Sequence, residues 1–126
     1  MKRGAVYLVS QGPTPRGERV RGEERERGEP QSSILRPVVL VSREMINRHS
    51  AVVIVCPLVD VATVGQTYPS DVRVAAPEGG LTSDSVVLTG QLRAIARELL
   101  VHQLGELSES VMRQVDSALR ITLDLE

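Results

Sequence analysis

The chain has 126 residues, with 15 Lys and Arg against 16 Asp and Glu, for a formal net charge of −1. That length suits one domain, residues 1–126, able to bury a core without disulfides or a structural metal, and the balanced charge excludes a protein that coats nucleic acid through bulk positive charge while leaving room for a local basic groove. The single cysteine, Cys56, excludes an internal disulfide framework and a cysteine-built zinc site, and fits a reducing cytoplasm.

Ala5 to Val9 is a short apolar, β-rich run and predicts a first strand, ended by the turn signal Ser10-Gln11-Gly12-Pro13. From Pro15 to Ser33 apolar residues almost vanish. Residues 16–29 interleave five Arg (16, 19, 21, 25, 27) with five Glu (18, 23, 24, 26, 29). A segment this polar cannot bury enough surface to offset its ordering entropy, so a mobile charged loop is expected at 15–33. Ile34 to Val41 is almost continuously apolar, as in a strand covered on both faces or curled into a small barrel. Its Arg36-Pro37 pair disfavours helix and belongs at a strand start or edge. Ser42 is placed to cap a short helical turn over Arg43 to Arg48.

Ala51 to Val59 predicts the innermost strand, and Asp60 to Pro69 a polar connection. Asp71 to Val74 alternates polar and apolar residues like a half-exposed strand, and Pro77-Glu78-Gly79-Gly80 turns the chain. Ser85 to Leu88 and Leu92 to Ile95 are two further expected strands, with Gly90 as a bulge between them. Ser108 caps a final helix in which Val111, Met112, Val115, Ala118 and Leu119 keep the helical period. The expected fold class is α+β, mainly antiparallel β: a small curled barrel with a C-terminal helix.

The sequence has no Gly-x-Gly-x-x-Gly, P-loop, His-Glu-x-x-His or Gly-x-Ser-x-Gly signature. His49 and His102 stand alone, without ligand-spaced neighbours, so no metal site and no cofactor is expected. Cys56, set among Val and Ile, reads as a packed hydrophobe. Arginine supplies 14 of the 15 basic residues, and Tyr7 and Tyr68 are the only aromatics. Any RNA bound would therefore be held by guanidinium planes and hydrogen bonds rather than by aromatic stacking. No apolar run reaches the roughly 18 residues of a membrane helix, and the apolar stretch after Met1-Lys2-Arg3-Gly4 is too short for a signal peptide.

The order of several pieces is informative. Arg3 to Val9 is followed by Arg36-Pro37-Val38-Val39-Leu40-Val41-Ser42, Asn47-Arg48, Val53 to Leu58, Tyr68-Pro69, the block Asp84 to Ile95 and Leu104 to Ser108 before the last helix. Apart from the charged loop, the chain resembles the MazF/PemK family of toxin–antitoxin ribonucleases. The resemblance implies a homodimer of SH3-like barrels. It also implies metal-independent cleavage of single-stranded RNA at short sequences, leaving 2′,3′-cyclic phosphate and 5′-hydroxyl ends, and neutralisation by a MazE-like antitoxin.

The arginine of the family's Arg-Pro motif falls on Arg36, which is expected to clamp phosphate oxygens. Gln91 and Arg93 match positions near the RNA groove, and the charged loop, with Arg16 and Arg19, stands where the family gates that groove. There are departures. The family's Thr or Ser after the third strand is Val59 here, with Asp60 next, and the Asp or Glu before the glutamine is Gly90. Asp60, as proton acceptor or as the group that orients Arg36, and Thr63, as a hydroxyl from the following loop, are the substitutes offered by the residues themselves. Two other readings stay open: a catalytically weak relative acting through antitoxin or other protein binding, and a gyrase-poisoning toxin of the same fold. The second relies on a C-terminal Trp, which Ile121 to Glu126 does not contain.

Overall fold

The computed structural model describes residues 1–10 and 35–126. The expected loop at 15–33, with Arg16 and Arg19, lies outside the described residues. Among the described residues seven strands form one antiparallel sheet: β1 (Ala5–Ser10), β2 (Leu35–Leu40), β3 (Val52–Asp60), β4 (Asp71–Val74), β5 (Ser85–Leu88), β6 (Arg93–Ala96) and β7 (Leu100–Glu106). A short helix α1 (Glu44–His49) lies between β2 and β3, and α2 (Glu109–Leu123) closes the chain. The strand order is β4-β5-β3-β2-β1-β7, with β6 also paired to β3. The mainly antiparallel α+β fold with a terminal helix is therefore present. The end strands β4 and β7 do not pair with each other, so the sheet is open rather than a closed barrel.

The long central strand is shared. Val52 to Val55 of β3 pair with β6, while Leu58 to Asp60 pair with β5. Pro57, which has no N–H to donate, falls at the junction between these two partners, where neither β5 nor β6 is paired opposite it.

Alternation explains why β2 and β3 read as unbroken apolar runs. Val39, Cys56 and Leu58 join one buried cluster with Val6, Val72, Val74 and Val87. Their neighbours Val38, Leu40, Val53 and Val55 join a second cluster with Val9, against which Tyr7, Ile95 and Leu100 pack. Successive side chains point to opposite faces, so a strand buried on both must be apolar at every position. Helix α2 covers the first cluster with Met112, Val115 and Ala118, one turn apart. The Ser108 hydroxyl accepts from the Val111 amide at 3.2 Å as its N-cap, worth about 1 kcal/mol. Arg3 ties the N-terminus to both layers, donating to Val41 O at 2.8 Å and to Asp116 Oδ1 at 2.6 Å.

Three local expectations need correction. Ser42 does not cap α1; Arg43 holds that position without a side-chain bond. The Ser42 hydroxyl instead bonds Asn47 Oδ1 and accepts from the Ile54 amide at 3.0 Å, while Asn47 Nδ2 donates to Ser42 O at 2.8 Å. Both side chains are buried, and this pairing satisfies them. Secondly, Thr89–Gln91 forms a 3₁₀ turn rather than a bulge, and β6 begins at Arg93. Finally, β7 has no counterpart among the expected strands.

At the turn before β5 the backbone approaches another strand closely. Gly79 and Gly80 have φ of 70° and 77°, and Gly80 packs against β7 so tightly that a Cβ there would lie 2.2 Å from Leu104 O. Gly105 returns the fit: its own Cβ would meet Gly79 C at 2.8 Å. Glu78 of the same turn accepts from the Ser108 amide at 2.7 Å, joining it to the start of α2.

Candidate active site

The register of β2 and β3 brings two charged residues to one place. Val38 lies opposite Pro57, and the same register carried outward sets Arg36 level with Val59, beside Asp60. On the other side of β3, Asp60 pairs with Ser85 of β5. A cavity of about 410 Å³ opens here, within the range of small-ligand pockets. Its polar wall is made by Arg36, Asp60, Thr82, Ser83 and Ser85, and its apolar wall includes Leu8, Pro37, Leu58, Val59 and Leu81.

Asp60 ends β3 and begins a 3₁₀ turn, Val61–Thr63. Its Oδ1 accepts from the Ala62 amide at 2.8 Å. That bond, followed by one from the Ser83 hydroxyl, holds the Asp60 carboxyl below the usual carboxylate range, so it is ionised at neutral pH. Arg36 brings a guanidinium to the same cavity. The cavity thus presents a fixed cation and a fixed carboxylate to whatever enters it.

The other expected site residues are placed differently. Thr63 does not line the cavity; its hydroxyl donates to Asp60 O at 2.8 Å and closes the turn. Val59 lines the cavity and also packs with Val86 and Leu88. Gln91 lies in the turn after β5, and Arg93 is exposed on β6, opposite Val55. Val55 and Asp60 are five residues apart along β3, or roughly 17 Å at the usual strand rise. Neither Gln91 nor Arg93 lines the cavity that Arg36 and Asp60 share. Among the described residues no His, Cys, Asp and Glu cluster could hold a metal ion.

Sequence reasoning missed Thr82, Ser83 and Ser85. Their only signal is the hydroxyl-rich run Leu81-Thr-Ser-Asp-Ser, which reads as a turn until β5 pairs with the end of β3. Cys56, buried with its thiol pushed up to about 12 by desolvation, takes no part in the site.

The fold is thus a small α+β domain, an open antiparallel sheet with a terminal helix, that brings Arg36 and Asp60 to one cavity between adjacent strand ends. Residues 2–123 match the family model described as PemK-like, MazF-like toxin of type II toxin-antitoxin system, and the chain belongs to that family. It is 34% identical over 125 residues to the endoribonuclease MazF of Staphylococcus epidermidis, covering 99% of this chain and 92% of that protein. Its fold is similar to a mycobacterial endoribonuclease in complex with its cognate antitoxin (TM-score 0.73, 23% identity, 100% of this chain and 97% of that one). It is also similar to MazE–MazF from Deinococcus radiodurans (TM-score 0.68, 19% identity, 99% and 95% covered).

Proposed function

We propose that this endoribonuclease toxin cleaves single-stranded RNA, with sequence selectivity and without a metal, in the cavity between Arg36 and Asp60. The observation that carries the reading is that cavity itself, where adjacent strands hold a permanent cation and an ionised carboxylate. The carboxylate of Asp60 takes the proton of a ribose 2′-hydroxyl as its oxygen attacks the adjacent phosphorus. Arg36 donates to the phosphate oxygens as charge accumulates on them. The P–O5′ bond breaks, the 5′-oxygen leaves with a proton from solvent, and a 2′,3′-cyclic phosphate and a 5′-hydroxyl remain. Thr63 holds the turn that aims Asp60. Gln91 and Arg93, with Arg16 and Arg19 of the charged loop, contact the RNA chain beyond the cleavage point.

The test is cleavage of a mixed-sequence RNA in EDTA, with the new 5′ ends sequenced. Cuts at a short common motif with cyclic phosphate ends support the reading; intact RNA overturns it in favour of a catalytically weak relative acting through antitoxin or other protein binding, the reading that Val59 favours. Val59→Thr is expected to raise the single-turnover rate, because a hydroxyl would then line the cavity next to Arg36. An unchanged rate would assign that role to groups already present.

The proposed setting is a cytoplasmic homodimer neutralised by a MazE-like antitoxin. The complexes formed by the mycobacterial and Deinococcus proteins support the antitoxin as partner. Met45, Ile46 and Val52, exposed around α1 and the start of β3, offer apolar surface for a second copy. Light scattering at micromolar concentration is expected to give the mass of two chains, and a monomer would contradict this. No helix among the described residues is long and apolar enough to cross a membrane.

A further inference from the structure

The connection between β5 and β6 is the short turn Thr89–Gln91, and its middle residue gives it little support. A Cβ placed on Gly90 would meet nothing within 4 Å, and glycine leaves the backbone its widest conformational freedom. The bond that closes the turn, from the Leu92 amide to Thr89 O, is long at 3.3 Å. Thr89, which opens the turn, is completely buried, and its hydroxyl is held from two sides. It donates to Ser70 O at 2.6 Å, just before β4, and lies 2.8 Å from Thr122 Oγ1 in the last turn of α2. A hydroxyl has one proton and a carbonyl can only accept, so the Thr89 proton goes to Ser70 and Thr122 donates to Thr89 Oγ1.

We propose that Thr89 and Thr122 are positioning residues for sequence selection, their paired hydroxyls bracing the turn so that Gln91 meets the RNA in one orientation. The proposal rests on the reading of Gln91 as an RNA contact. Apolar packing alone holds Leu88, the residue before, completely buried, but packing has no direction. The two hydroxyl bonds do have direction, and they tie the turn to segments 19 and 33 residues away in the chain. A glutamine on an unbraced turn loses more freedom on binding, and it adapts to several bases instead of matching one. Gln91 does not line the cavity that Arg36 and Asp60 share, so the brace acts on binding and not on the bond-breaking step.

The two threonines offer different probes. Thr89→Val removes both bonds and leaves Ser70 O without its partner in a buried place, which endangers the fold. Thr122 is half-buried, and Thr122→Val takes away the link to the helix while the Thr89 bond to Ser70 stays. Gly90 supplies an independent control. Its φ lies outside the left-handed region and its Cβ position is open, so alanine fits there without strain and stiffens the turn by another route. A defect caused by motion of the turn is then reversed by Gly90→Ala.

The experiment sequences the 5′ ends cut from a mixed-sequence RNA in EDTA, then measures kcat and KM on RNA carrying the wild-type motif or a single-base change in it. Thr122→Val is expected to lower the preference for the motif roughly five-fold, the scale of one net hydrogen bond, through KM and with kcat nearly unchanged. Backbone NMR relaxation is expected to show added motion at Gln91 and none in β3. Thr122→Ser, which keeps the hydroxyl, and Thr122→Val combined with Gly90→Ala both recover the wild-type preference. Thr89→Val moves further in the same direction; where it does not fold, Thr122→Val decides. Wild-type preference in Thr122→Val overturns the proposal, as does a loss that comes without added motion at Gln91 or that serine or Gly90→Ala fails to restore. If Gln91→Ala cuts at the wild-type motif with undiminished preference, the reading of Gln91 fails and the brace falls with it. If Gln91→Ala loses the preference while Thr122→Val keeps it, only the role of the threonines is lost.

Discussion

Arg36→Ala is expected to abolish RNA cleavage while leaving RNA binding largely intact, a rise in the activation barrier of roughly 3 kcal/mol or more. The guanidinium contributes most where negative charge builds on the phosphate oxygens, which happens in the transition state and not in the bound substrate. It lies in a cavity with an apolar wall, where charge is screened less than at an open surface. The side chain sits at the second position of β2 ahead of Pro37, near the end of the ladder with β1, so its removal takes nothing from the buried clusters. Single-turnover cleavage and filter binding of the same RNA separate the two quantities. Near-wild-type cleavage would remove Arg36 from the mechanism. Arg36→Lys keeps the charge but not the two-pronged donor, and is expected to recover only part of the rate.

Gly80→Ala is expected to destabilise the fold by roughly 3 kcal/mol or more, through two causes that act together. Its φ of 77° belongs to the left-handed region that alanine enters at a cost. Its Cβ would also lie 2.2 Å from Leu104 O, a backbone atom that cannot move without shifting β7. Gly65→Ala is the control, since a Cβ there meets nothing within 4 Å. Urea unfolding should show a large loss of midpoint for Gly80→Ala and almost none for Gly65→Ala; equal midpoints would show that the turn and β7 can separate freely. Because Gly80 also lines the cavity, the folded fraction of the variant is expected to cleave poorly as well.

The central strands were legible because their burial is simple. Strands β2 and β3 send alternate residues into two cores, so every position is apolar and the run announces itself. Strand β7 escaped notice for the opposite reason. From Leu100 to Glu106 most side chains are exposed or half-buried, and what holds the strand is its ladder with β1, interrupted by two register shifts. Such a strand is specified by its partner rather than by its own pattern. Ser42 misled for a related reason: a serine before a helix looks like a cap, and only the burial of Asn47 shows where its hydroxyl goes.

The site divides along the same line. Arg36 was readable from its Arg-Pro setting and Asp60 from its place after an apolar strand. Ser83 was not, because its place in the cavity wall with Asp60 depends on a pairing between segments more than 20 residues apart in the chain. Hydroxyls in a turn carry no mark of the partner that the sheet will bring to them.

The division of β3 between two partners gives the molecule a ruler. One end of that strand carries Asp60, where the RNA is proposed to break, and the other end is hydrogen-bonded to the strand that carries Arg93. The separation between them is set by covalent bonds and a sheet ladder, which neither stretch nor hinge as a loop would. An enzyme that reads with one end and cuts with the other then cuts at a constant offset from what it reads. Changing Arg93, proposed to contact the RNA, is then expected to alter which sequences are chosen and to leave the position of the cut within them where it was.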